Sequence, residues 1–344
     1  MIGDSLECDI QGGIDFGIDT CWMNPEKTKN ATKHKPNYEI SNLKDKTIGV
    51  LMGGLSPERD VSIVTGNSVI AAIKRKGLIV VPIQVDHNIG KTLQSNPIDL
   101  GFIALHGTFG EDGCIQGLLE YFKIPYTASG VMGSALAYDK LKSKEILKFH
   151  GIPTADYEVF YRNQKICRTL DLPVVVKPTN QGSSLGITIV ENESEWEPAL
   201  ETAFAYSEEV IVEKFIAGKL LAIGMNEMEP MPIVHIRPKS GFYDYEAKYT
   251  SGKTEYVCPA ELTENETARC RQVAKQVFQV LRGRGFPRVD VILDQEGTPQ
   301  VLEMNTIPGM TPTSLLPMAA QKMGLEFDDL VVEILKTAKL DYTE

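Results

Sequence analysis

Apolar residues come in short separate bursts along this chain, and the punctuation between bursts predicts its elements. Residues 47–52 are largely apolar and end in Gly53-Gly54, the pattern of a buried strand entering a tight turn. Ser56-Pro57-Glu58-Arg59 follows, with a capping residue type, a proline for the first turn and Asp60 nearby. A helix is predicted from there to Lys76, stopped by Gly77. Residues 78–85 and 100–105 read as two further strands. Strands alternating with helical stretches point to a parallel sheet covered on both faces.

Beyond this the texture changes. A charged amphipathic pattern over residues 139–150 predicts a helix, and Gly151-Ile152-Pro153 marks a domain boundary. Residues 174–177 and 186–190 read as strands flanking a Gly-Ser-rich loop, with further strands at 209–215 and 232–237 in a more antiparallel arrangement. Residues 264–282 form the clearest helix, followed by paired strands at 289–293 and 299–304 around a turn at 294–297. Helices over 315–324 and 327–338 close the chain. Residues 27–46 are polar and read as linker, and no internal repeat is visible.

Composition narrows the class. A chain of 344 residues, 42% hydrophobic and 24% charged, has room for two or three globular domains. Its longest apolar runs, such as residues 77–85, are too short to span a bilayer. The opening Met-Ile-Gly-Asp-Ser lacks the basic-then-apolar pattern of a secretory signal, so a cytoplasmic location is expected. Six scattered cysteines, without a Cys-x-x-Cys pair, are expected to be reduced structural thiols. The net charge of −11 argues against nucleic acid as a partner, and no membrane partner is expected. It does not forbid ATP, because local cations and Mg²⁺ outweigh a distant negative field.

Three stretches carry candidate chemistry. Glu303 and Asn305 are two apart and would share one strand face, while Asp290 lies on the neighbouring strand. Three such oxygen donors suit Mg²⁺. Alone, acids at strand ends are often merely solvated, but Arg288 on the face of Asp290 and the following Pro308-Gly309 favour a site where phosphoryl charge develops. Lys177-Pro-Thr-Asn-Gln-Gly-Ser-Ser-Leu-Gly186 places a lysine at a strand end before a Gly-Ser loop that could surround phosphate oxygens. It is not a Walker loop, and by itself such a turn is more often a hairpin. Glu213-Lys214-Phe215-Ile216 ends another strand where a nucleotide base could be read, although strand-end Glu-Lys pairs usually decorate a surface.

In this order the pieces resemble the ATP-grasp superfamily, and within it the D-alanine–D-alanine ligase family over about residues 46–340. The resemblance rests on Gly53-Gly54 with Glu58-Arg59-Asp60-Val61-Ser62, on Leu105-His106-Gly107, on Gly110-Glu111-Asp112-Gly113, and on Ser129-Gly130-Val131-Met132 with Asp139-Lys140. It rests equally on residues 243–249 (Tyr-Asp-Tyr-Glu-Ala-Lys-Tyr), on Arg288-Val289-Asp290, and on residues 303–311 (Glu-Met-Asn-Thr-Ile-Pro-Gly-Met-Thr). The implied fold is α/β: ATP-grasp, with a parallel-sheet N-terminal domain and two α+β domains sandwiching ATP. The implied division is an N-terminal substrate domain at 46–140, a central ATP-grasp subdomain at 141–219, and a C-terminal subdomain with the metal site at 220–344.

The resemblance also implies roles. Glu58 would hold the ammonium of a first D-alanine in a hydrogen-bonded set with Ser183 and Tyr249, and His106 would lie beside that substrate. Lys140, Lys177, Lys214 and Lys248 would contact ATP, with Glu213, Phe215 and Ile216 at the adenine. Asp290, Glu303 and Asn305 would hold two Mg²⁺ ions, for which Mn²⁺ could substitute. Arg288 and the Gly309 backbone would stabilise the tetrahedral species, and Ser314-Leu315 would hold the second substrate's carboxylate. The implied reaction is ATP-dependent formation of D-alanyl-D-alanine through an acyl phosphate, for peptidoglycan precursor synthesis, by a homodimer. A lid is expected around residues 242–254. The alternatives are a ligase taking another D-residue or D-lactate, which the Tyr249 position disfavours, and a catalytically impaired fusion protein.

Two features depart from that pattern. Residues 1–45 resemble instead the C-terminal tail of a haloacid dehalogenase-like hydrolase, with Asp4 and Asp9 at that family's Mg²⁺-binding acids, followed by linker. The nucleophilic aspartate of that family is not present, so no phosphatase activity is expected. Leu220 stands where the ligase family carries a ribose-binding glutamate, which puts nucleotide affinity in question.

Overall fold

The computed structural model describes residues 2–3, 10–15, 21–23, 38–40, 43–164, 167–182, 185–239, 243, 250 and 252–342. At the N-terminus, β1 (Ile2–Gly3), β2 (Cys21–Met23) and β3 (Tyr38–Ile40) lie side by side in parallel, with α1 (Gln11–Asp15) between the first two. Among the described residues this sheet shares no ladder with the others.

The predicted parallel sheet follows. Strands β4 (Thr47–Gly53), β5 (Ile79–Val85) and β6 (Leu100–Ile103) pair in the order β5-β4-β6. Helix α2 (Arg59–Arg75) makes the crossover from β4 to β5. Its cap differs from the sequence expectation: the N-cap residue is Glu58, not Ser56. The Ser56 hydroxyl donates instead to the His106 carbonyl at 2.6 Å and accepts from the Glu58 N–H at 3.2 Å. The helix thus starts two residues later than a Ser56 cap would place it, while the Ser56 hydroxyl joins two loops at the sheet's C-terminal edge. Helices α3 (Ile89–Ser95), α4 (Cys114–Tyr121), α5 (Val131–Tyr138) and α6 (Lys140–Phe149) complete this part, with Asp139 capping α6 by accepting from the Lys142 N–H.

Strands β7 (Tyr157–Tyr161), β8 (Val174–Pro178), β9 (Thr188–Val190) and β10 (Glu209–Lys214) form an antiparallel sheet in the order β7-β10-β8-β9. One face buries Val174, Val176, Val210 and Val212 against α7 (Trp196–Phe204). The period of two puts Lys177 and Glu213 on the other face.

Strands β11 (Gly218–Asn226), β12 (Glu229–Pro230), β13 (Val234–Pro238), β14 (Thr254–Val257), β15 (Arg288–Asp294) and β16 (Pro299–Asn305) make the largest sheet, also antiparallel. Helix α8 (Glu264–Val280) starts at a capping box of Thr263 and Glu266 and covers one face, packing Cys270, Val273 and Val277 on Leu221, Ile223 and Val289. The register shifts between Asp290 and Val291, so that Asp290 opposes Glu303 while Val291 opposes Val301. This bulge lets Val301 sink into the core under α8 while Glu303, two residues on, faces the opposite side. Helices α9 (Leu315–Lys322) and α10 (Phe327–Lys336) return the chain to α2, where Leu330, Val331 and Ile334 join Val69 and Ile73 in one core. No described helix is long and apolar enough to cross a membrane. Among the described residues Cys114, Cys167, Cys258 and Cys270 are free thiols, of which Cys270 is buried and Cys114 and Cys167 are exposed.

Candidate active site

A cavity of about 580 Å³ opens where the parallel sheet, the start of α6 and the uncovered face of the six-stranded sheet meet. Its walls differ in chemistry.

On the first wall stand Glu58, His106 and Glu111. Glu58 is buried, and its carboxylate is boxed by two glycines. A Cβ at Gly107 would stand 2.7 Å from Glu58 Oε2, and one at Gly182 would stand 2.6 Å from it. His106 is buried with Nε2 at 3.2 Å from Thr65 Oγ1 and Nδ1 at 3.7 Å from Glu111 Oε1. Glu111 also accepts from the Gly107 N–H at 3.1 Å, and Tyr138 Oη lies 2.9 Å from Thr108 Oγ1. Burial pushes the Tyr138 hydroxyl well above its ordinary pKa, so it stays a neutral hydrogen-bonding group. Thr65, Glu111 and Tyr138 were not singled out by sequence reasoning. Glu111 lay within a quoted motif, and Tyr138 immediately precedes the Asp139-Lys140 pair.

The opposite wall carries the predicted oxygen donors. Cross-strand partners Arg288 with Asn305 and Asp290 with Glu303 put all four side chains on the face away from α8. Arg288 grips Asp290 through two bonds of 2.7 Å each. Burial alone would lower the Arg288 pKa, but the Asp290 carboxylate overrides it and holds the guanidinium above its ordinary value. Glu303 Oε2 lies 3.2 Å from Lys140 Nζ, which also donates to the Gln181 carbonyl at 2.9 Å. Asn305 Oδ1 accepts from the Ile307 N–H at 3.0 Å, which fixes the amide's orientation. No trio of His, Cys, Asp or Glu gathers among the described residues, so a metal here would rely on two carboxylates, an amide and oxygens from water or a ligand. That all-oxygen set with open positions fits Mg²⁺.

Between the walls, Gly309, Ser314 and Leu315 line the floor. Ser314 is the N-cap of α9 but makes no side-chain cap; its Oγ accepts from the Thr311 N–H at 3.1 Å. The N-terminus of α9, at Ser314 and Leu315, thus lies at the cavity lining, a favourable place for a carboxylate.

The predicted nucleotide residues divide. Lys140 lines the cavity, whereas Lys177, Glu213, Lys214, Phe215 and Ile216 lie outside its lining. Glu213 is buried and bonds Lys177 at 2.7 Å. Burial would raise the Glu213 pKa, but Lys177 and Lys144 outweigh it and hold the carboxyl below its ordinary range. Glu213 is thus a committed ion-pair partner rather than surface decoration. The N–H groups of Lys214 and Phe215 already donate to the Asp156 and Pro173 carbonyls, so neither is available to a base. Ser183, Lys248 and Tyr249 lie outside the described residues, as do Asp4, Asp9 and most of residues 242–254. Tyr243 is described: it lines the cavity, with its hydroxyl 3.2 Å from that of Tyr256.

The family model described as D-ala D-ala ligase C-terminus matches residues 146–336, and that described as D-ala D-ala ligase N-terminus matches residues 86–129. A D-alanine–D-alanine ligase of Syntrophotalea carbinolica is 48% identical over 299 residues, covering 87% of this chain and 98% of that protein. The chain belongs to the D-alanine–D-alanine ligase family. A ligase of Geotalea uraniireducens is 43% identical, with 89% of this chain and 99% of the relative covered. The crystal structure of the Bacillus anthracis D-alanine–D-alanine ligase superimposes with a TM-score of 0.77 at 37% identity, covering 85% of this chain and 96% of that one. Its complex with ATP gives 0.76 at 33% identity, covering 85% and 97%. The ligase family's ATP-grasp fold is the fold of this chain.

Proposed function

We propose that the chain is an ATP-dependent ligase that joins two D-alanines into D-alanyl-D-alanine for peptidoglycan precursors, releasing ADP and phosphate. The observation that carries this is one cavity with a buried, glycine-boxed Glu58 on one wall and the Arg288–Asp290–Glu303–Asn305 face on the other. The first wall suits an ammonium group and the second suits phosphoryl charge. The names of the relatives, and ATP in the Bacillus anthracis complex, support the same reading.

In this reading Glu58 binds the ammonium of the first D-alanine, with His106 beside it, in a hydrogen-bonded set that includes Ser183 and Tyr249. The substrate carboxylate attacks the γ-phosphate of ATP to give an acyl phosphate and ADP. The second D-alanine, its carboxylate at the α9 N-terminus by Ser314 and Leu315, attacks the acyl carbon through its amine. Phosphate then leaves. Arg288 and the Gly309 backbone stabilise the tetrahedral charge, and Lys140, Lys177 and Lys248 take up negative charge on the phosphates. Lys214, Phe215 and Ile216 lie toward the adenine. Asp290, Glu303 and Asn305 would hold Mg²⁺, two ions or Mn²⁺ in their place, whose chemistry is to neutralise phosphate charge. The work is positioning and charge neutralisation, which accounts for a site without a nucleophilic side chain.

The division at 46–140, 141–219 and 220–344 is supported by the sheets, each of which falls within two residues of one segment. A cytoplasmic homodimer is the expected form. Residues 1–45 are read as a haloacid dehalogenase-like remnant, supported by their separate sheet. ADP release with D-alanine alone, and with D-lactate added, tests the function: turnover on D-alanine alone is expected. Turnover only with D-lactate added would favour the depsipeptide alternative, and no turnover in either case the impaired one.

A further inference from the structure

Of the four lysines on helix α6, Lys140 and Lys144 lie one turn apart, and only Lys140 belongs to the site described above. Lys140 and Lys144 share a face of the helix by the i, i+4 rule. Lys144 is 1% exposed, which is rare for a lysine. Its Nζ donates to Thr154 Oγ1 at 2.5 Å and to the Ala155 carbonyl at 3.2 Å, and lies 3.5 Å from Glu213 Oε1. The other Glu213 oxygen bonds Lys177 at 2.7 Å. Thr154 Oγ1 in turn donates to the Val301 carbonyl at 2.8 Å, and the Val301 N–H donates to the Pro153 carbonyl at 2.8 Å.

These links have a direction. Val301 lies on β16, the strand that carries Glu303 and Asn305. Glu213 and Lys177 lie on β10 and β8, in the other antiparallel sheet. Lys144 is therefore a polar link between the two antiparallel sheets, through Glu213 to one and through Thr154 to the other. The surrounding charges are Lys177 and Glu213 from the sheet and Lys148 from α6 itself, with the Tyr157 ring 5.4 Å from Nζ. Two lysines on one buried carboxylate, one of them buried and the other partly exposed, leave an excess of positive charge. A stabilising core would not choose this, because an unbalanced buried charge costs free energy unless a ligand completes it. Phosphate oxygens at Lys177 would complete it.

We propose that Lys144 is a positioning residue for ATP, clamping Glu213 and through it Lys177 to α6 and to the Glu303-bearing strand. This rests on the reading of the cavity and its flanking sheet as an ATP site. Lys144 is not placed in contact with substrate; it acts through Glu213.

The test is Lys144→Met, which keeps the aliphatic stem, with Mg²⁺–ATP binding measured by calorimetry without D-alanine, and KM measured for each substrate. The ATP dissociation constant is expected to rise about tenfold or more, with KM for D-alanine within about twofold. Thr154→Val leaves all three charges but removes the hydroxyl that accepts from Lys144 and donates to the Val301 carbonyl of β16; it should raise the ATP constant about threefold, in the same direction. A merely structural lysine would lower the melting temperature without splitting the two constants. An unchanged ATP constant in Lys144→Met overturns the proposal. So does an unchanged constant in Thr154→Val, should Lys144→Met fail to fold. If the unaltered chain does not bind Mg²⁺–ATP, the ATP reading itself fails, an outcome distinct from wild-type binding with indifferent variants.

Discussion

Gly182 approaches Glu58 so closely that a methyl group on its Cα would stand 2.6 Å from Glu58 Oε2. The atom met is the far end of a side chain, so it would move rather than the backbone. Gly107 closes the other side at 2.7 Å, which leaves the carboxylate little room to retreat. Gly182→Ala should therefore leave stability nearly unchanged but displace the group proposed to hold the substrate ammonium. KM for D-alanine is expected to rise on the order of tenfold, with ATP binding little altered. Unchanged D-alanine kinetics would remove Glu58 from that role.

Glu303→Gln replaces one charge on the face shared with Asp290 and Asn305. Its ion pair with Lys140 at 3.2 Å is partly exposed, so stability should change by less than about 1 kcal/mol. Turnover is expected to fall about 100-fold or more, because several kcal/mol of transition-state charge stabilisation pass through the metal shell. A near-normal rate at saturating Mg²⁺ would sink the ligand assignment.

Leu220 faces the cleft side of the six-stranded sheet. It pairs with Ile236 and Ile292, and it shares its face with Ala222, whose partner is Asp290. A side chain there cannot hydrogen-bond a ribose, whereas a charged acceptor typically adds about 1.5–3 kcal/mol. Leu220→Glu should lower KM for ATP by about tenfold with little change in kcat, the pattern of uniform binding. Leu220 also packs against the core around Ala222 and Val234, so the variant should melt somewhat earlier. Unchanged or poorer ATP affinity would show that Leu220 does not face the ribose.

How far the sequence went depends on the range of the interaction involved. The common face of Glu303 and Asn305 was legible because a strand repeats every two residues, and the Arg288–Asp290 pair followed from the same rule. The bulge beside Val291 was not, because it is set by how Val301 meets α8. Ser56 misled for a similar reason: its residue type fits a cap, but the helix starts two residues later, and the hydroxyl donates to the His106 carbonyl fifty positions away. Glu213 looked like surface decoration because nothing local to β10 announces the lysines above it. Lys144 was invisible, since helical periodicity names a face but not what covers it.

The buried lysine also leaves a mark on stability. Burial pulls the Lys144 pKa down from its ordinary 10.5 to about 8, with Glu213 resisting the fall. Between these values the unfolded chain keeps a proton that the folded chain gives up. Stability then rises with pH across that window, since the unfolded state binds more protons there. The difference corresponds to on the order of 3 kcal/mol held against the fold at neutral pH. Lys144→Met has no such group, while every other titrating side chain is common to both proteins. Denaturant unfolding at about pH 7.5 and about pH 10 should show wild type gaining roughly 2 kcal/mol over the variant at the higher pH. Glu213 stays ionised throughout, because its own pKa is held low. A wild-type-minus-variant difference that is flat between the two pH values would mean that Lys144 keeps its proton in the folded chain. The excess positive charge would then be fully present at alkaline pH.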